Sequence, residues 1–96
     1  MASEKQIHLT GYIEVPAHRM EQITSALPEH IRLTRLEAGC VSFDVTPDPE
    51  HTGRFNVAEV FASRADFDAH QARTKTSFWA QVTDGIARQY SISQAG

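Results

Sequence analysis

Three stretches decide the fold: Glu37-Ala-Gly-Cys-Val-Ser-Phe-Asp-Val45, Phe55-Asn-Val-Ala-Glu-Val-Phe61 and Phe67-Asp-Ala-His70. In the first, Val41, Phe43 and Val45 alternate with Ser42, Asp44 and Thr46, the period of a strand. In the second, Phe55, Val57, Glu59 and Phe61 form one face, and Asn56, Ala58, Val60 and Ala62 form the other. Both faces carry apolar residues, so both are expected to be covered. Pro47 to Gly53 between them is a loop rich in turn formers. The third stretch lies in a helix expected over about 64–73, with Ser63 as N-cap and Asp66 as a capping acid three residues on. This order sets a carboxylate, Glu59, in a sheet and an imidazole, His70, on the next helix, both near one apolar cavity.

Outward from this centre, Ile7, Leu9, Ile13 and Val15 alternate with polar residues as a first strand. Gly11 at its middle marks either a bulge or a close approach of another group to the backbone. Met20, Ile23, Leu27 and Ile31 recur at helical spacing. Pro28 removes a backbone donor, which predicts two segments, about 17–26 and 28–36. Gly39 follows as a stop. A further helical stretch is expected over about 75–83, with Phe78, Trp79 and Val82, and Gly85 ends it. Ile86, Arg88, Tyr90 and Ile92 then alternate as a fourth strand. The order β-α-β-β-α-β predicts an α+β, ferredoxin-like fold: a four-stranded antiparallel sheet with the helices on one face. The uncovered face is expected to expose apolar side chains and to meet a second copy, giving a homodimer.

Ninety-six residues suit one domain over 1–96, with 1–5 and 94–96 as disordered tails. Hydrophobic residues are 41% of the chain and charged residues 22%, as in soluble globular proteins. A net charge of -3 argues against nucleic acid as a partner. No apolar run approaches the length that spans a bilayer, so no membrane partner is expected. The single cysteine, Cys40, has no intrachain partner, which fits a reducing, cytoplasmic setting.

The run Glu37-Ala-Gly39-Cys40, the strand Phe55–Phe61 with Glu59, the run Ala65-Asp-Phe67-Asp-Ala-His70 and the later Thr74-Lys-Thr-Ser77-Phe-Trp together resemble the antibiotic biosynthesis monooxygenase family. The likeness covers about Ile7 to Ile92. Its one departure at the Glu-Pro-Gly-Cys strand start is Ala38 in place of Pro. The resemblance implies a dimeric α+β barrel and an enzyme similar to the quinol monooxygenases, working without a cofactor on a small aromatic molecule and dioxygen. Haem-degrading relatives place Trp where His70 stands and His near the position of Ala80, so haem chemistry is disfavoured.

His70 is the foremost candidate for catalysis, since an imidazole exchanges protons near neutrality. The plainer reading makes it a structural histidine bonded to Glu59. Glu59, mid-strand on an apolar face, either partners His70 or forms an ion pair with Arg88. Trp79, Phe67, Phe43 and Phe78 either line an aromatic cavity or are simply core. Tyr12 and Tyr90 sit at a ligand or at a dimer contact, and Ser77 and Thr74 offer polar contacts or caps. No His-x-x-x-His or Cys-x-x-Cys spacing points to a metal, and no glycine-rich phosphate loop points to a nucleotide cofactor. Two further functions share these residues: an isomerase of a small carbonyl compound using the same base, and a non-catalytic small-molecule-binding or stress-response module.

Overall fold

The computed structural model of the chain describes residues 5–95. Strand β1 spans Gln6–Glu14, and a 3-10 turn at Ala17–Arg19 leads into helix α1, Met20–Arg35. Strands β2 (Cys40–Pro47) and β3 (Arg54–Phe61) form a hairpin. Helices α2 (Arg64–Lys75) and α3 (Phe78–Val82) follow, and β4 (Ala87–Ala95) ends the chain's described part. The sheet order is β2-β3-β1-β4 with every neighbouring pair antiparallel. This is the ferredoxin-like α+β arrangement that the strand and helix periods predict.

Strand alternation puts Ile7, Leu9 and Ile13 of β1, Phe43 and Val45 of β2, and Phe55, Val57 and Phe61 of β3 on one buried face. Helix α1 lays Ile23 and Leu27 on it, α2 adds Phe67, and α3 adds Val82. Arg19 donates to the carbonyl oxygens of Asp84 and Val82, which ties the start of α1 to the end of α3. Arg35 donates to the Phe43 carbonyl at 2.9 Å and ties the end of α1 to β2.

Gly11 serves close approach, with no bulge. Its register with β3 and β4 is unbroken. A Cβ there would collide with the Gln89 carbonyl and come within 2.8 Å of the Tyr90 ring. Tyr90 therefore lies across the bare backbone of β1, toward the helices.

Several expectations change. Helix α1 runs unbroken through Pro28. Pro28 and Thr24, whose carbonyl loses its helical donor, are both on the exposed side, where water can supply the missing bond. Val41 does not join Phe43 in the core: the register shifts between Cys40 and Ser42, and this bulge leaves Val41 54% exposed. The boundary between the two later helical stretches moves: α2 runs on to Lys75, and Ser77 starts α3 by accepting from the Ala80 N–H. β4 continues through Gln94 and Ala95, which pair with Ile7 and Gln6, so these two residues are strand and not tail. The tail expected at 1–4 and Gly96 lies outside the described residues.

The open face of the sheet is also not as expected. It carries Thr10, Asp44, Thr46, Asn56, Ala58, Gln89 and Ser91, all exposed and mostly polar. β3 is covered on one side only. The apolar residues left exposed on the sheet include Tyr90 and Ile92, which sit on the helix-facing side of edge strand β4. Among the described residues no helix is long and apolar enough to cross a membrane.

Candidate active site

Helices α2 and α3 do not reach across the whole sheet. Between them and the β1–β4 side lies a cleft of about 430 Å³, a size typical of small-molecule sites. Glu59 of β3 forms its floor with Leu9, and His70 and Thr74 of α2 form one wall. Trp79 and His30 form another, and Arg88 and Tyr90 of β4 stand at the open side.

His70 and Glu59 do share this cavity, but Glu59 is not the hydrogen-bonded partner of His70. Its Oε1 stands 3.7 Å from His70 Nε2, too far for a hydrogen bond. The partner is Glu37, whose Oε1 lies 2.6 Å from His70 Nδ1. Arg73 holds the other oxygen of the same carboxylate at 2.7 Å and also donates to Thr34 Oγ1. His70 and Arg73 are three apart on α2, so they project side by side and grip one carboxylate together.

Local chain geometry brings Glu37 there. Gly39 turns the chain with φ 81° and lies against the side chain of Asp66, where a Cβ would collide. Asp66 is fixed in turn by the N-cap: its N–H donates to Ser63 Oγ at 3.1 Å, and Ser63 Oγ donates to its carboxylate at 2.9 Å. The bare glycine lets the Glu37 turn dock beside the first turn of α2.

The three ionisable groups end up in different states. For Glu37, burial pushes the carboxyl up, but the bonds from Arg73 and His70 outweigh it and hold the group below its usual range. It is a carboxylate at neutral pH. For His70, burial lowers the imidazole, and the Glu37 bond only partly opposes that. The ring is then neutral, donates from Nδ1 to Glu37, and keeps a bare lone pair on Nε2. Glu59 Oε1 has no hydrogen-bond partner among the described residues, and burial, followed by the charge of Glu37, pushes the carboxyl up to about 7. A neutral base and a half-protonated acid thus stand side by side at the floor of the cleft. Environments that push two acids apart in this way mark acid and base roles.

The other expected site residues divide. Trp79 lines the cleft and Phe43 lines a smaller inner cavity with His30 and Glu59. Phe67 is core, 2% exposed, with its ring packed edgewise on Phe61, because its position on α2 faces the sheet. Tyr12 belongs to the open face, under the Arg54 guanidinium, since strand alternation turns it away from Leu9 and Ile13. Ser77 caps α3 and donates to the Thr74 carbonyl, outside the main cleft. Phe78 is 66% exposed. Arg88 shares the cleft with Glu59 but forms no ion pair with it among the described residues. Sequence reasoning missed Glu37 and His30. The signal for His30 was its spacing: Ile23, Leu27, His30 and Thr34 make the buried stripe of α1.

Among solved structures, a conserved protein of unknown function from Bacteroides thetaiotaomicron superposes with a TM-score of 0.79 at 18% identity, covering 97% of this chain and 100% of its own. A conserved protein from Methanosarcina mazei gives 0.78 at 13% identity, over 96% and 94%. A candidate antibiotic biosynthesis monooxygenase from Nitrosomonas europaea gives 0.75 at 19% identity, over 99% and 93%. At these identities the likeness is one of fold. No curated protein matches the sequence. The sequence profile of the antibiotic biosynthesis monooxygenase family matches residues 6–80, which hold Glu37, Glu59, His70 and Trp79 but not β4. The chain belongs to the antibiotic biosynthesis monooxygenase family.

Proposed function

We propose that the chain is a cofactor-independent monooxygenase of a quinol or related small aromatic. The observation that carries this is the Glu37–His70 pair, which leaves Nε2 bare in the cleft beside Glu59. Nε2 takes the proton of the aromatic hydroxyl. Glu59, in its protonated form, donates a hydrogen bond to the negative charge that develops. The electron-rich anion reduces dioxygen and forms a carbon–oxygen bond at a ring carbon that carries hydrogen. The resulting peroxide loses water and leaves a carbonyl. The balance is quinol plus dioxygen to hydroxyquinone plus water, with every electron supplied by the substrate.

An isomerase of a small carbonyl compound is the second reading. It draws on the same 3.7 Å separation of Nε2 and the Glu59 carboxyl, which suits taking a proton from one carbon and returning it to the next. Substrate turnover under nitrogen separates the two. A homodimer is also part of the proposal. Tyr90 and Ile92, 39% and 49% exposed on edge strand β4, are what a second copy would cover, rather than the polar open face.

Three outcomes test this reading. Oxygen uptake with a panel of hydroquinones and anthrone-like phenols, corrected for autoxidation, should exceed background. His70→Ala should lower it by about 10²–10⁴-fold, the usual worth of a general base. Uptake unchanged in His70→Ala contradicts the role. In the pH profile of kcat/KM, the acid limb reports protonation of His70, below its ordinary value. The alkaline limb near 7 reports loss of the Glu59 proton. Glu59→Gln should remove the alkaline limb and keep the acid limb; an alkaline limb that persists assigns it elsewhere. Sedimentation at micromolar concentration should give twice the 10.7 kDa chain mass. A single-chain mass would contradict the dimer.

A further inference from the structure

His30 has no role in the proton transfer just described, yet it is the most unusual side chain in the cleft. It is 6% exposed on α1 and lines both the cleft and the inner cavity. Its Nδ1 is buried and has no hydrogen-bond partner among the described residues. Buried polar atoms in native proteins are nearly always bonded, so an orphan needs a reason. Two more belong to residues that line the same cleft: Glu59 Oε1 and Thr74 Oγ1. Among the described residues, three of the four unpartnered buried side-chain atoms thus belong to residues of one cavity.

The way His30 is held supports a guest over a structural histidine. A structural imidazole is pinned through its nitrogens. His30 is pinned through its ring: it stacks on Trp79 at 4.8 Å with an interplanar angle of 7°, and it meets Phe43 edgewise at 5.4 Å. The aromatics fix the ring plane and leave the nitrogens unused. Burial, then the charge His70 gains when protonated at acid pH and the charge of Arg73, push its pKa down to about 4. The ring is neutral and offers one donor and one acceptor.

We infer that His30 binds the second oxygen of a dihydroxylated aromatic whose first hydroxyl faces His70 and Glu59. Its ring centre lies 6.4 Å from that of His70, so the two imidazoles address different atoms of one small ring system. The inference rests on the quinol reading and sharpens it: the site selects two oxygen functions over one. A site built to bond a hydroxyl rejects the analogue without it, because its own polar atoms stay unpaired.

The test is calorimetric titration under nitrogen, where no oxygenation occurs, with 1,4-naphthohydroquinone and 1-naphthol. Wild type should bind the dihydroxy compound about tenfold or more tightly than the monohydroxy one. His30→Phe keeps a ring on Trp79 and removes the nitrogens. It should erase that preference by weakening 1,4-naphthohydroquinone far more than 1-naphthol. His30→Asn, which restores a donor and an acceptor, should recover part of the preference and guards against a folding defect in the first variant. Wild type that binds both compounds equally, or variants that keep the full preference, overturns the role of His30 and leaves the quinol reading standing. Binding of neither compound to wild type overturns both.

Discussion

The candidate site depends on one hydrogen bond: His70 Nδ1 to Glu37 Oε1, 2.6 Å, between a buried imidazole and a half-buried carboxylate. Without it the imidazole has no reason to carry its proton on Nδ1, and Nε2 has no reason to be bare. The bond depends on Gly39. Only a residue without a side chain can turn there while pressed against Asp66, and only that turn brings Glu37 under α2. The Ser63–Asp66 cap is therefore more than a helix start. It builds the surface on which the Glu37 turn rests, so local helix chemistry and the pairing of Glu37 with His70, 33 residues on, are one arrangement.

Two carboxylates, Glu59 buried and Glu37 half-buried, flank one imidazole, and their fates differ because their donors differ. Glu37 receives Arg73 and His70 and stays ionised in spite of burial. Glu59 receives no hydrogen bond among the described residues and rises to about 7. An uncompensated buried charge is costly, so the fold keeps Glu59 protonated through part of the neutral range. The sign follows directly. Its folded pKa lies above its ordinary one, so this group favours folding at low pH and opposes it as pH rises through about 7.

Much of this was legible in the residues. The alternation of Ile7, Leu9 and Ile13, the run at Phe43 and Val45, and the Ser63 cap led to the observed element order. His70 and Glu59 do meet in one cavity. The reading of Tyr12 as a ligand contact overlooked the alternation that buries Leu9 and Ile13 and turns Tyr12 to the other face. His30 sits on the buried stripe of α1, but apolar spacing alone does not say whether a histidine there is held by its nitrogens or by its ring. The Glu37–His70 pairing was beyond local patterns, since no periodicity reports a contact made by a loop against a helix 33 residues on. The continuous α1 shows a different limit. Pro28 costs a hydrogen bond wherever it lies, but whether the helix breaks depends on whether water reaches the orphaned carbonyl.

The measurement that bears most directly on the central claim is the nitrogen NMR spectrum of His70 at pH 7. The account predicts a neutral ring with the proton on Nδ1 and an unprotonated Nε2, and loss of that fixed tautomer in Glu37→Gln. A proton on Nε2, or an imidazolium at pH 7, would contradict it, because the cleft would then hold no base.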